Sequence, residues 1–158
     1  MITSLQKRTL LAASLGWMLD GMDIMLYAMV LGGVKQELGM SAATSGLLMS
    51  LTLVSAAAGG ILFGILADRI GRARALMGSI LVYSVFSGAS GLAQNVGQLA
   101  VFRVLLGLGM GGEWATGATL VAETWPPEHR GKALGLMQSF WAIGYALAGA
   151  VNWVVSPR

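Results

Sequence analysis

Gly64-Ile65-Leu66-Ala67-Asp68-Arg69-Ile70-Gly71-Arg72 is a short charged link between two long apolar runs of a 158-residue chain. Gly64 lets two backbones approach closely, Asp68 can cap or charge-pair at a helix end, and Gly71 permits a tight turn. The simpler interpretation is a basic link that only sets membrane topology. We do not favour it, because this order of residue types is more specific than that role requires.

Five long apolar runs extend along the chain on both sides of this link. Each is close to the length of about 20 residues that a membrane-spanning helix needs. Only helices and closed barrels satisfy their backbone groups in lipid, and these runs are too long for barrel strands. We therefore predict an all-α membrane protein with five transmembrane helices at approximately 10–32, 44–67, 75–94, 98–122 and 133–155.

The composition agrees with a membrane protein. Hydrophobic residues make up 56% of the chain and charged residues only 11%, whereas a soluble domain carries about 25% charged residues. The 23 glycines suit close helix packing in lipid. Because there is no cysteine and the single histidine, His129, lies in a charged link, we expect neither a disulfide nor a metal site or other cofactor.

The distribution of positive charge predicts the orientation. Lysine and arginine cluster at the N-terminus and in the second and fourth links, whereas the first and third links together hold only Lys35. Cytoplasmic segments of membrane proteins are enriched in such residues. We predict a multi-pass protein of the inner or plasma membrane with a cytoplasmic N-terminus. Clusters that alternate with apolar runs also argue against a nucleic-acid partner.

A second charged motif joins helices four and five, where Glu123 is followed seven residues later by Arg130. The two inner links together resemble those of the major facilitator superfamily, whose signature is Gly-x-x-x-Asp-Arg-x-Gly-Arg followed by a base. The chain departs from that signature at Ala73, and Arg74 follows one residue later. The resemblance implies a cytoplasmic charge network that steadies one conformation. Its predicted members are Gly64, Asp68, Arg69, Gly71, Arg72, Glu123 and Arg130. The alternative is that both links are ordinary solvated loops that form no network.

Helix four holds Arg103 and then the run Gly107-Leu108-Gly109-Met110-Gly111-Gly112-Glu113. The run contains Gly-x-Gly-x-x-Gly, which binds dinucleotides when it follows a strand and opens a helix. Here it lies inside one long apolar span. We therefore interpret the glycines as a thin helix face for close packing. An arginine followed by glycines also resembles helix four of the superfamily.

Two aspartates, Asp20 and Asp23, lie in the middle of the first predicted span. A charge at the bilayer centre costs about 2.5–3.5 kcal/mol on insertion scales and usually marks a proton, ion or substrate pathway. At a rise of about 1.5 Å per residue, Asp23 and Arg103 reach similar depths, so we predict an ion pair. Snorkelling of Arg103 to the outer surface is the alternative. Glu113 needs another partner, and its role as a titratable or a structural group stays open.

Polar and aromatic residues also form a stripe on helix one and another on helix five, at about 100° per residue. The stripes are Gly16, Asp20, Asp23 and Tyr27 on helix one, and Gln138, Trp141, Tyr145 and Asn152 on helix five. Two such stripes predict a lined cavity. For helix five, simple packing against neighbouring helices is an equal alternative.

Asp20-Gly21-Met22-Asp23 resembles the Asp-Gly-x-Asp of proton-coupled organic-acid symporters, with the sialic acid and aromatic acid porters closest in pattern. The resemblance implies a transporter and not an enzyme. It would carry a small organic anion, such as a sialate, a monocarboxylate or an aromatic acid, with protons by alternating access. The proton-coupling and substrate residues would be Asp20, Asp23, Tyr27, Arg103, Glu113, Gln138, Trp141 and Tyr145.

The resemblance covers the whole chain but only the first five of the family's twelve helices. We therefore expect residues 1–158 to be a truncated N-terminal six-helix domain. Its expected partners are the bilayer and the missing C-terminal half. The alternatives are a sugar:proton symporter and a fragment that only associates with other helices. An intramembrane enzyme is disfavoured, because the chain has no cysteine, no membrane-embedded histidine and no serine motif of nucleophile type.

Overall fold

The computed structural model describes residues 2–155 and consists of five α-helices. Their bounds are α1 Ser4–Glu37, α2 Ala42–Ile70, α3 Arg72–Ser90, α4 Val96–Thr124 and α5 Pro127–Val155. Residues 2–155 contain no strand. The all-α fold with five helices, expected from the apolar runs, is confirmed.

Three of these helices, α1, α2 and α5, are long and apolar enough to cross a membrane. The other two carry charged residues within or at the start of the helix: α3 begins at Arg72, and α4 holds Arg103 and Glu113. α1, α2 and α4 extend beyond both ends of their apolar runs. α3 begins and ends nearer the N-terminus than its apolar run does. Asn95 caps the start of α4, because its side-chain oxygen accepts a hydrogen bond from the Gln98 N–H at 2.8 Å.

The charged link between α2 and α3 is mostly helical. Residues 64–70 form the last turns of α2, and Gly71 alone joins it to α3. Gly71 has φ of +94°, a conformation that favours glycine, and its N–H donates to the Ala67 carbonyl at 3.0 Å. The tight turn is therefore confirmed. The close backbone approach predicted at Gly64 is wrong for residues 2–155, because a Cβ added there would meet no atom within 4 Å.

The helices form two compact units. Residues up to Val30 and from Gly117 onward form unit 1, and Leu31–Thr116 form unit 2, so α1 and α4 contribute to both. Unit 1 has a hydrophobic core of small and large apolar side chains. Its buried members are Ala13, Val121, Trp125, Ala133 and Met137.

In unit 1, α1 and α5 cross closely at two glycines. A Cβ on Gly144 of α5 would overlap the carbonyl oxygen of Met18, and one on Gly21 of α1 would lie 2.9 Å from the carbonyl oxygen of Trp141. Small residues let helices pack backbone to backbone in lipid, where the hydrophobic effect does not drive association. These glycines therefore set how near α5 comes to the acidic stretch of α1.

In unit 2, α4 packs against α2 and α3 through its glycines. A Cβ on Gly107 or Gly111 would overlap backbone atoms of α2, and a Cβ on Gly109 would meet the backbone of α3 at Ser79 and Tyr83. The run is helical throughout, with no strand before it. The packing interpretation of these glycines is confirmed, and a dinucleotide-binding turn is excluded.

Candidate functional site

The acidic pair lies in the middle of α1. Asp20 is 0% exposed, Asp23 is half-buried, and Tyr27 one turn later is buried. Gly16, the fourth member of the predicted stripe, is also buried. The stripe therefore faces away from lipid, and α1 keeps acidic side chains inside the protein at the costly position that the sequence indicated.

Gly21, between the two aspartates, brings α5 against this part of α1. An added Cβ would lie 3.2 Å from the indole ring of Trp141. That ring stands 4.5 Å from the ring of Trp17 and 5.9 Å from the ring of Tyr145, centroid to centroid, with interplanar angles of 47° and 45°. Aromatic pairs at such separations and tilts attract one another. We call Trp17, Trp141 and Tyr145 the aromatic stack.

Two of the three members of the aromatic stack were among the residues predicted for the site. Trp141 and Tyr145 were predicted to line a cavity, and the structure brings them together beside α1. Trp17 was missed, because nothing local shows that its ring partner lies on α5. Its position four residues before Gly21 was the available signal, since residues so spaced share a helix face. Gln138, also predicted for the site, is exposed, and Asn152 is half-buried.

α4 places two charged side chains in the interior. Arg103 is 7% exposed and Glu113 is 2% exposed. Among residues 2–155, no hydrogen-bond partner is found for either carboxylate oxygen of Glu113. Burying a charged group without such partners is costly, so Glu113 is a candidate proton-binding group. The pairing of Asp23 with Arg103 joins residues of the two units and stays a prediction.

The charged end of α2 forms an ion pair across the Gly71 turn. Arg72 Nη1 lies 2.8 Å from Asp68 Oδ1, and both side chains reach solvent. Such exposed pairs contribute about 0–1 kcal/mol to stability. Arg69 is exposed in the last turn of α2. The pair therefore sets local charge and geometry at this end and adds little to the stability of unit 2.

The second charged link lies in unit 1. Glu123 is exposed in the last turn of α4, and Arg130 is exposed in the first turn of α5. Pro127 occupies the first position of α5, where its missing N–H leaves no helical hydrogen bond unmade. The network that would join these residues to Asp68 and Arg72 spans both units and stays a prediction. Among residues 2–155, no three histidine or acidic side chains are grouped to hold a metal ion.

The family model of the Major Facilitator Superfamily matches residues 13–155. The chain belongs to the Major Facilitator Superfamily. With three apolar helices of spanning length, this Major Facilitator chain is part of a multi-pass membrane protein. The match includes the acidic pair, the aromatic stack, the glycines of α4 and both charged links.

Three curated relatives of this Major Facilitator chain are named as transporters and not as enzymes. The probable 4-methylmuconolactone transporter of Cupriavidus pinatubonensis is 44% identical over 92% of this chain and 34% of its own length. The putative niacin/nicotinamide transporter of Bacillus subtilis is 35% identical over 96% and 38%. The sialic acid transporter of Escherichia coli is 36% identical over 92% and 36%. The chain thus spans about one third of the length of the curated relatives it matches.

A solved structure shares the fold. It is a bacterial homolog of the human lysosomal transporter Spinster in an inward-facing, occupied conformation. Its TM-score is 0.84 at 24% sequence identity, over 94% of this Major Facilitator chain and 32% of the solved one. The likeness establishes the helical architecture and carries no argument about substrate.

Proposed function

We propose that this chain is the N-terminal part of a secondary active transporter that moves a small organic acid anion together with protons. Relatives of the chain are named for the transport of 4-methylmuconolactone, niacin, sialic acid and 4-hydroxybenzoate, most of which are small acids. The transporter lies in the inner or plasma membrane with a cytoplasmic N-terminus. A second half, outside this sequence, completes the pathway.

The single observation that carries the proposal is the burial of Asp20. A carboxyl group that is 0% exposed in an apolar spanning helix opposes membrane insertion. A helix that only anchored the protein would insert more favourably with an apolar residue in place of this aspartate. Asp23 lies three residues further on and is half-buried. In the proposal, this pair binds the proton that drives accumulation.

Arg103 is the proposed partner of the substrate. Its planar guanidinium matches a carboxylate in bidentate geometry, and it is one of the few cations inside the spanning segments. Competition between Asp23 and the substrate carboxylate for Arg103 ties anion binding to proton binding. Glu113 is a second proposed proton-binding group, because its carboxyl is buried in α4.

Alternating access then exposes this site to one side of the membrane at a time. The Asp68–Arg72 ion pair lies at the end of α2 that the distribution of positive charge predicts to be cytoplasmic. With Glu123 and Arg130 it forms the proposed cytoplasmic network. The network holds one of the two conformations and releases it during transport.

Asparagine variants of the acidic pair test the proposal. The complete gene product is reconstituted in liposomes and given labelled nicotinate, benzoate, lactate or N-acetylneuraminate under an inward proton gradient. Asp20→Asn and Asp23→Asn should each abolish accumulation, since asparagine keeps the size of aspartate but cannot carry the proton. Glu37→Gln, at the exposed end of α1, is the matched control and should leave accumulation unchanged. Wild-type accumulation by both asparagine variants would overturn the proposal.

A further inference from the structure

The aromatic stack has an arrangement that helix packing alone does not require. Glycines already close the α1–α5 crossing at Gly21 and Gly144. Trp17 and Trp141 are only half-buried, and Tyr145 is 38% exposed. The three rings therefore form a continuous apolar surface in unit 1 that keeps part of its area open.

This surface meets α1 at the level of the acidic pair. Gly21 contacts the backbone and ring of Trp141 and stands between Asp20 and Asp23 in sequence. At a rise of about 1.5 Å per residue, the Trp141 ring therefore meets α1 within about 3 Å of the level of both aspartates along the helix axis. A ligand that rests on the stack lies at the depth of these two residues.

We propose that the aromatic stack is the platform for a planar, unsaturated ring, so that the transporter prefers aromatic carboxylates to saturated or polyhydroxylated acids of similar size. This inference rests on the proposed function and narrows its substrate class. Offset or tilted stacking adds about 0.5–1.5 kcal/mol per aromatic pair beyond area burial. A saturated ring of equal size gains the free energy of apolar burial but not this stacking contribution.

The chemistry of the stack also disfavours a sugar acid. Each hydroxyl of such a substrate loses its water on binding and needs a replacement hydrogen-bond partner, or its desolvation weakens binding. Indole and phenol rings offer mostly carbon surface. A planar acid places its ring on the stack and leaves its carboxylate as the one group that needs a polar partner.

The negative charge of the substrate couples binding on the aromatic stack to protonation of the acidic pair. A substrate carboxylate that comes close to Asp20 or Asp23 is repelled unless that acid is neutral. Binding of a ring acid on the stack therefore favours the proton-loaded state of the acidic pair. This order of events makes the platform part of the coupling as well as of the selectivity.

Two acids that differ only in their ring test the proposal. The complete gene product in proteoliposomes takes up labelled benzoate under an inward proton gradient, corrected for protein-free liposomes, with unlabelled benzoate or cyclohexanecarboxylate as competitor. In the wild type, benzoate should compete better. Trp141→Leu keeps an apolar side chain but removes the ring, and should raise the half-inhibitory concentration of benzoate by about 2- to 12-fold, which is the stacking energy expressed as a ratio. The value for cyclohexanecarboxylate should change by less than about twofold on the same reasoning.

Matched variants separate recognition from folding. Trp153→Leu removes a 68% exposed indole from the same helix and should change neither value. Trp141→Phe keeps a ring and should restore most of the preference. Because Trp141 packs on Gly21, its loss can impair folding, so Tyr145→Leu at the more exposed end of the stack serves as a second variant. Monodispersity in size-exclusion chromatography confirms that each variant is folded.

Equal competition by the two acids in the wild type would overturn the inference, and so would a proportional change for both acids in Trp141→Leu and Tyr145→Leu. Accumulation of N-acetylneuraminate without benzoate would also overturn it while leaving proton-coupled acid transport intact. If none of the acids accumulates, the proposed function itself fails, and the inference fails with it.

Discussion

Two close helix crossings in this molecule are built from the same residue type but have different surroundings. In unit 2, Gly107, Gly109 and Gly111 press α4 against the backbones of α2 and α3. In unit 1, Gly21 and Gly144 join α1 to α5, and the rings of the aromatic stack flank the contact. At Gly109 and Gly111 the first crossing brings backbone against backbone and leaves no room for a side chain on α4. The second keeps partly exposed rings at the level of the acidic pair along α1.

The two crossings therefore have different roles: the crossing in unit 2 is a scaffold, and the crossing in unit 1 belongs to the proposed site. Backbone-to-backbone packing gives unit 2 many dispersion contacts and little freedom to adjust. Gly21 has more space: the atom nearest to an added Cβ is the Trp141 carbonyl oxygen at 2.9 Å, whereas a Cβ on Gly111 would overlap Ala56. Substitutions in the unit 2 crossing should therefore mainly lower stability, whereas substitutions in the unit 1 crossing should mainly change substrate selectivity.

The largest effect is expected at Gly111. Gly111→Ala adds a Cβ that would overlap the carbonyl oxygen of Ala56 on α2, so the helices must separate. Overpacking of this kind lowers the free energy of unfolding by about 1–3 kcal/mol. The measurement is the thermal stability of the purified protein in detergent. Gly88→Ala in α3 is the control, because no atom lies within 4 Å of its added Cβ, and a variant pair of equal stability would contradict the scaffold role of α4.

A smaller loss of stability is expected at Gly21, with a larger change in selectivity. Gly21→Ala places a methyl group 2.9 Å from the Trp141 carbonyl oxygen and 3.2 Å from its ring, so α5 must shift at Trp141 and carry the ring with it. The preference for benzoate over cyclohexanecarboxylate should fall while the protein stays folded. The control is Gly149→Ala in α5, which meets open space. Unchanged selectivity in a folded Gly21→Ala protein would contradict the assignment of the α1–α5 crossing to the site.

The smallest change in stability is expected at the charged end of unit 2. Asp68→Asn removes the exposed ion pair with Arg72 and should lower the free energy of unfolding by less than about 1 kcal/mol. Transport should fall more than stability if the pair belongs to a conformational network. Thermal stability and uptake rate, measured on the same preparation, test this. A destabilisation as large as that of Gly111→Ala would mean that charge, and not the glycine face, holds unit 2 together.

Much of the fold followed from local patterns. Long apolar runs, glycine content and the two charged links predicted the five helices and the superfamily, and Gly71 was placed correctly in the turn. The helix ends were less accurate, because polar residues continue a helix past its apolar run. The close approach expected at Gly64 was not found among residues 2–155, because a motif does not say which glycines touch another backbone.

For the site, the sequence alone determined that acidic residues lie within spanning helices and that helix five carries aromatic residues, since hydropathy and helical spacing are local properties. Only the tertiary structure decided that Trp17 joins Trp141 and Tyr145, and that Gly109 and Gly111 meet backbones while Gly135 and Gly149 meet none. The physical reason is that packing partners come from distant parts of the chain. Which face of a helix is in contact depends on the crossing of two helices, and neither helix encodes that crossing by itself.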